Sequence, residues 1–292
     1  MTIPERILLT APTGPIGRRV LELVSGAGLT FSIVVRSASL GKIPTDLVGN
    51  APVHIGELHD SSVLIEAGVG ADVLVLILPT DVSHPDLAAL WRSFGAAAIA
   101  SIRANNIEHV VFISSQGADA GGAALLNVFA DIESDLFAAA PHVRILRPGY
   151  LMENLLMYTE LLAKGILPTS TGDDTQLNMV TSDDVAAVAL SYLANISWTG
   201  HEALAVYGPR SYTPLEAAAT LSAALGRPIE RHRSTYDEVL AEFLSFGIPP
   251  ATAQAMAEMF TLTLSDPGDT GDRRRRTSLE AFARERLLPT LP

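Results

Sequence analysis

Thr10-Ala11-Pro12-Thr13-Gly14-Pro15-Ile16-Gly17 joins the apolar run Ile7-Leu8-Leu9 to a helical pattern in which Ile16, Val20, Leu23 and Val24 share one face. Small residues between a strand and a helix leave backbone N–H groups free to meet a pyrophosphate, with the positive helix end behind them. Gly14 lets the backbone approach the phosphates, and Gly17 lets helix and strand pack closely. Thr10, Thr13, Gly14, Ile16 and Gly17 are therefore candidate cofactor contacts; the alternative is a tight turn with no ligand. Ala11 stands where a dinucleotide loop has its first glycine, and its β-carbon narrows the turn if φ is positive. Pro12 removes one N–H.

The second strand ends Val34-Val35-Arg36-Ser37. A carboxylate here would take the adenosine ribose of NAD. The guanidinium of Arg36 suits a 2′-phosphate instead, with Ser37 as a neutral donor, so the pattern favours NADP(H). The alternative is an ordinary surface arginine. Glu57 and Leu58 follow the third strand, on the adenine side. Leu78-Pro79 ends the fourth strand, where the nicotinamide ribose is expected, and Ser114-Ser115-Gln116 ends the fifth. Ser115 and Gln116 are candidate catalytic residues, and Ser114 is a candidate cofactor contact. His84 is the one histidine near the expected nicotinamide, although it also reads as an N-terminal residue of the next helix. Tyr150, Asn154 and Tyr158 can reach a planar substrate from a helix over 150–164; Tyr150 is also a catalytic candidate. The alternative for all three is packing on the sheet.

The elements that must position these groups alternate. Strands are expected at Ile7–Leu9, Phe31–Val35, Val53–Ile55, Val73–Leu78, Val110–Ser114 and Val143–Arg147, most of them unbroken β-branched or Leu runs suited to strands covered on both faces. Helical patterns lie between them, one ending at Asn105-Asn106. This implies a right-handed, doubly wound parallel sheet of the α/β class. After Gly149 helices predominate. One spans 182–195, opened by Ser182 with Asp183 and Asp184 in its first turn. A strand follows at Ala203–Tyr207, and Thr213-Pro214-Leu215-Glu216 is a capping box with proline at the first helical position. Pro228–Arg233 reads as extended, further helices span 235–246 and 250–264, and Thr277-Ser278-Leu279-Glu280 opens the last. The expected division is a dinucleotide-binding domain over 1–149, with 178–206 returning to it, and a smaller, mainly helical substrate domain over 150–177 and 207–292.

Composition bounds the partners. A net charge of −12 argues against broad nucleic-acid binding, which needs clustered cations. Arg273–Arg276 is a basic run, but Asp266, Asp269 and Asp272 precede it, so it reads as a solvated loop. There is no cysteine, and the seven histidines are scattered, so no metal site is expected. The N-terminus lacks the regions of a signal peptide, and no apolar run approaches the ~20 residues that cross a bilayer. The expectation is a soluble cytoplasmic protein without a membrane partner, with a homodimer left open.

Together these residues resemble the NmrA-like family, an atypical branch of the short-chain dehydrogenase/reductase superfamily. The resemblance rests on the Thr-x-x-Thr-Gly-x-x-Gly loop, Val35-Arg36, Gly56-Glu57-Leu58 and Val111-Phe112-Ile113-Ser114-Ser115. It continues through Ala130-Asp131-Ile132-Glu133, Leu146-Arg147-Pro148-Gly149-Tyr150-Leu151-Met152-Glu153-Asn154 and Thr181-Ser182-Asp183-Asp184-Val185-Ala186. Gly208-Pro209-Arg210-Ser211-Tyr212-Thr213 and Leu225-Gly226-Arg227-Pro228 extend it into the C-terminal region. It implies a Rossmann domain, a smaller C-terminal domain and an NADP-type ligand between them, with Pro148 among the contacts. Roles in the family divide among reductases of quinones, azo compounds and related aromatics, natural-product tailoring enzymes, and catalytically silent redox sensors.

This chain departs from the superfamily's usual proton chemistry. Typical members use Tyr-x-x-x-Lys, whose lysine lowers the tyrosine pKa. None of the six tyrosines here has that partner. Related sequences often carry lysine or histidine four residues before the position of Glu133, where this chain has Phe129. A quinone-like acceptor yields a delocalised anion and needs only a weak donor. The expectation is an NADPH-dependent oxidoreductase of a quinone-like or polycyclic aromatic acceptor. The alternatives are a non-catalytic NADP(H) sensor and a cofactor-independent coupling or rearrangement enzyme on the same fold.

Overall fold

β1 (Ile7–Leu9) lies inside a seven-stranded sheet in a computed structural model that describes residues 2–262 and 276–292. The other six strands are β2 (Phe31–Val35), β3 (Val53–Ile55), β4 (Val73–Ile77), β5 (His109–Ile113), β6 (His142–Pro148) and β10 (Gly200–Val206). Their order is β10-β6-β5-β4-β1-β2-β3, and every pairing is parallel. β1, β4 and β5 are buried throughout, as their unbroken apolar runs require. The order reverses at β1, between β2 and β4. Ligands of open α/β sheets bind at the carboxyl ends beside such a switch point.

Helices α1 (Pro15–Gly26), α3 (Ser61–Ala67), α4 (Leu87–Asn105), α5 (Ala124–Ala139) and α7 (Ser182–Leu193) cover the sheet, with a single turn α2 (Thr45–Val48) before β3. Asn106 ends α4 with φ +53, a left-handed cap of the kind asparagine tolerates. The first turn of α7 carries Asp183 and Asp184 as expected, but its N-cap is Thr181, whose hydroxyl accepts from Asp184 N–H, and not Ser182.

Residues 150–164 depart from the expected single helix. Tyr150–Leu151 is a short strand, β7, paired with β9 (Met179–Val180). A tight 3-10 run over Met152–Tyr158 follows, and only α6 (Thr159–Ala163) is α-helical. Two contacts distant in sequence outweigh the local propensity. Tyr150 N–H donates to the Asn178 carbonyl at 2.8 Å, an approach that only Gly149 permits, because a β-carbon there would run into that carbonyl. The Glu153 carboxylate then accepts from Ser182 N–H at 2.9 Å and Ser182 Oγ at 2.6 Å.

β8 (Ile166–Thr169) pairs in parallel with β11 (Glu230–Arg233) as a separate ribbon. α8 (Pro214–Leu225) opens with the expected Thr213–Glu216 capping box and Pro214 in its first turn. α9 (Tyr236–Ser245) and α10 (Pro250–Thr261) follow; positions 263 and 264 of the expected helix lie outside the described residues, as do Asp266, Asp269, Asp272 and Arg273–Arg275. α11 (Leu279–Phe282) is capped one residue later than expected, by Ser278.

Two apolar cores result among the described residues. The first packs the sheet against its helices and takes in Val239, Phe243, Ala253 and Met256 of α9 and α10. The second gathers Met152, Leu162, Leu167, Leu221, Leu225 and Phe282 beside it. No helix among the described residues is long and apolar enough to cross a membrane.

Candidate functional site

The β1–α1 turn is built from backbone contacts. Gly14 N–H donates to the Ala11 carbonyl at 3.2 Å, and Ala11 sits at φ +47. This is the left-handed region that the missing glycine would occupy freely, so the alanine carries strain. Gly17 is required: a β-carbon there would run into the Ala11 carbonyl, whereas one at Gly14 would meet only that oxygen at 3.6 Å. Gly14 is the N-cap of α1 and supplies no side chain to the first turn. The helix therefore ends in N–H groups open to an anion.

The expected contacts separate into those that brace the turn and those that face outward. Thr10 is fully buried; its hydroxyl donates to β4 carbonyls and accepts from Ile77 N–H at 2.8 Å, locking β1 to β4. Ile16 and Leu58 are buried in the first core. Thr13 and Gly14 are half-buried, and Ser37 and Glu57 are exposed. Leu78 is buried, and the Pro79 carbonyl accepts from Trp91 Nε1 at 3.0 Å.

Arg36, just past β2, forms a 2.8 Å ion pair with Asp81, a residue past β4 that sequence reasoning did not single out. Asp81 also accepts from Ser83 Oγ at 2.6 Å. The Ser83 hydroxyl first, and the Arg36 guanidinium after it, hold the Asp81 carboxyl below its usual range against the opposing effect of burial. The signal was legible as Asp-x-Ser, a local turn in which the carboxylate caps its own loop.

The β5 and β6 ends meet around a buried carboxylate. Glu133 accepts from Ser114 Oγ at 2.5 Å, from Arg147 Nε at 3.0 Å and from a second Arg147 nitrogen at 2.5 Å. Asp119 takes the remaining guanidinium arm at 2.7 Å. Glu133 raises the Arg147 pKa most. Ser114 is thus committed to Glu133. Ser115 and Gln116 are half-buried beside it; Ser115 Oγ donates to the Gln116 carbonyl at 3.1 Å, and Gln116 N–H to the Pro148 carbonyl at 2.9 Å. Phe129 packs against Trp91 and Phe112, with ring centroids 5.0 and 6.0 Å away, so an apolar ring occupies this position.

Tyr150, Asn154 and Tyr158 are half-buried, the two tyrosines against the second core, on a strand and 3-10 run instead of a helix. Burial, aided by the neighbouring Tyr158, pushes the Tyr150 phenol far above its ordinary range. Burial also pushes Tyr158 up to about 12, with Glu242 of α9 contributing. Both phenols stay neutral and can donate hydrogen bonds, the reverse of a tyrosine activated by lysine. Burial also raises the pKa of the Glu242 carboxyl, another group that sequence reasoning missed. Its three-residue spacing from Val239 placed it on the buried face of its helix. His84 lies in the β4–α4 loop before the Asp86 N-cap, outside the helix, with Nδ1 accepting from Asp86 N–H at 3.1 Å.

The open α1 terminus, the Gly14–Gly17 turn and Arg36 fit a phosphate-bearing dinucleotide. Thr13 and Gly14 would line its pyrophosphate, and Arg36 a 2′-phosphate. Pro12 and Pro15 each withhold an N–H from this cradle, and the Gly14 N–H is given to the Ala11 carbonyl.

Known proteins agree with this architecture. An NAD(P)H azoreductase of Xenophilus azovorans is 28% identical over 264 residues, covering 89% of this chain and 88% of its own. A (4-alkanoyl-5-oxo-2,5-dihydrofuran-3-yl)methyl phosphate reductase of Streptomyces griseus is 28% identical over 256 residues, covering 86% and 85%. In fold, the chain resembles the Citrobacter triphenylmethane reductase complexed with NADP(H), with a TM-score of 0.79 at 19% identity, covering 95% of this chain and 98% of that one. The model of the NmrA-like family matches residues 4–269, and the chain belongs to that family.

Proposed function

We propose that this protein is an NADPH-dependent reductase of a quinone-like or azo-type aromatic acceptor. The observation that carries the reading is the uncapped α1 terminus over a turn closed by Gly17, at the switch point of a parallel sheet. The NAD(P)H azoreductase relative supports both the cofactor and an aromatic acceptor. The relative that reduces a (4-alkanoyl-5-oxo-2,5-dihydrofuran-3-yl)methyl phosphate supports reduction of a conjugated carbonyl compound.

NADPH supplies a hydride when bound. The chain's own part is positioning. Thr10 fixes the turn to β4, Arg36 holds the adenosine end, and the β5 and β6 ends carry Ser115, Gln116 and Tyr150 toward the acceptor. Holding two reactants in register supplies a large share of such a rate enhancement. An ordinary ketone would demand a strong proton donor as its alkoxide forms. An acceptor whose reduced anion is delocalised needs only a neutral hydrogen-bond donor. The raised pKa values of Tyr150 and Tyr158 suit them to that lesser task.

The test is oxidation of NADPH by a panel of quinones, azo dyes and simple ketones, followed by the absorbance of the reduced nicotinamide. Turnover is expected with quinones or azo dyes and not with ketones. Tight NADPH binding without turnover on any acceptor would overturn the catalytic reading in favour of a redox sensor.

A further inference from the structure

Arg36 and Asp81 stand on opposite sides of the dinucleotide turn. Arg36 directly follows β2, and Asp81 closely follows β4; these strands are the two neighbours of β1. Their ion pair therefore spans the carboxyl end of β1, across the Thr10–Gly17 turn.

The two partners are held differently. Asp81 is fixed by its own loop: Ser83 N–H and Oγ both donate to Oδ1, at 3.2 and 2.6 Å, while Oδ2 faces Arg36. The guanidinium has no such tether among the described residues; its ion-pair partner there is Asp81, and its side chain is 41% exposed. A solvent-exposed pair of this kind is weak and exchanges readily. A 2′-phosphate carries about −1.5 to −2 charges at neutral pH and three acceptor oxygens, by analogy with other phosphomonoesters, so it outcompetes one carboxylate oxygen. Once displaced, Asp81 remains beside the phosphate, because Ser83 holds it there.

We propose that Asp81 is a specificity-determining residue of the dinucleotide site: its carboxylate occupies the Arg36 guanidinium in place of the 2′-phosphate and weakens binding of NADPH relative to NADH. A nucleotide with a free 2′-hydroxyl displaces no charge, and the same carboxylate can accept its hydrogen bond. The pair thus narrows the preference that Arg36 alone would give. The inference rests on the dinucleotide reading above.

Calorimetric titration of NADPH and NADH into the wild-type protein, Asp81→Asn, Asp81→Ser, Arg36→Gln and the Arg36→Gln/Asp81→Asn double variant tests it. Thermal melting verifies that each variant is folded. Asp81→Asn and Asp81→Ser are expected to tighten NADPH by about fivefold, the upper end of what an exposed ion pair is worth, and to leave NADH unchanged or weaker. In the Arg36→Gln background Asp81→Asn should give a smaller gain, because only the repulsion between carboxylate and phosphate is then relieved. An unchanged NADPH-to-NADH ratio in both Asp81 variants, with a wild type that binds, overturns the role of Asp81 and leaves the dinucleotide reading standing. NADPH binding that appears only in the Asp81 variants supports it. Failure of both nucleotides on every folded protein overturns the dinucleotide reading and this inference with it.

Discussion

Glu133 ties the carboxyl ends of β5 and β6 together through one buried carboxylate. It is 4% exposed, and its two oxygens take the Ser114 hydroxyl and two nitrogens of Arg147. Removing one partner of a buried pair leaves the other charged and uncompensated, at a cost of roughly 3–5 kcal/mol. Arg147 keeps Asp119 and is 19% exposed, so Glu133→Ala is expected near the lower end, about 3 kcal/mol, read as a shift in the urea unfolding midpoint. A loss below about 1 kcal/mol would show that solvent takes over the carboxylate's role. The sequence made the Arg147–Asn154 string conspicuous without revealing why. Part of the reason lies in Glu133, fourteen residues earlier, which falls on the apolar face of α5 with Phe129 and Ile132. An acid on such a face signals a buried partner, but its identity depends on how β5 and β6 are registered. Ala11 was more legible, because its positive φ follows from its place in the loop.

The β4–α4 loop is where elements distant in sequence meet. Thr252 of α10, fully buried, donates to the His84 carbonyl at 2.6 Å and accepts from Leu87 N–H at 3.1 Å. One hydroxyl thus pins α10 to the loop that carries Asp81. Thr252→Val keeps the shape and leaves both backbone groups unsatisfied, which costs about 1–3 kcal/mol. The expected outcome is a lower melting temperature together with faster amide hydrogen exchange over 82–87. Unchanged exchange there would show that the apolar contacts of α10 suffice to hold the loop. Elements like this explain the uneven legibility of the fold. The buried parallel strands could be read from unbroken β-branched runs, and α8 from a capping box that needs only local residues. Residues 150–158 could not, because β7 pairs with β9 and the Glu153 carboxylate of the 3-10 run is held by Ser182 and Arg286, all distant in sequence.

At the scale of the whole molecule, the two ends of the sheet carry separate duties. The β1–α1 turn and the Arg36–Asp81 pair lie at the carboxyl ends, while the amino ends hold an aromatic cluster with a titratable group in it. His109 opens β5, 8% exposed, with its ring edge-on to Trp198 at 4.6 Å and 4.6 Å from the ring of His142. Glu108 lies nearby, and the Arg144 guanidinium covers the other partner, 4.4 Å over the Trp198 ring. Burial first, and His142 in addition, lower the His109 pKa; the Trp198 carbonyl and Glu108 oppose this without reversing it. The unfolded chain takes up a proton at the ordinary imidazole value of about 6.5, the folded protein only at lower pH. Between the two values the unfolded state binds more protons, so stability rises with pH through that window. The His109 contribution is therefore complete above about 6.5 and is lost on acidification towards its folded value. His109→Gln keeps a side-chain donor for the Trp198 carbonyl and cannot take a charge. Its melting temperature is expected to fall less steeply than that of the wild type on acidification from about pH 7.5 to about pH 5.5, across the imidazole window. Parallel melting curves for the two proteins would show that the His109 cluster opens to water before it titrates. Because this cluster and the Arg36–Asp81 pair occupy opposite edges of one sheet, NADPH affinity measured over the same range at fixed fold occupancy should not follow the His109 substitution.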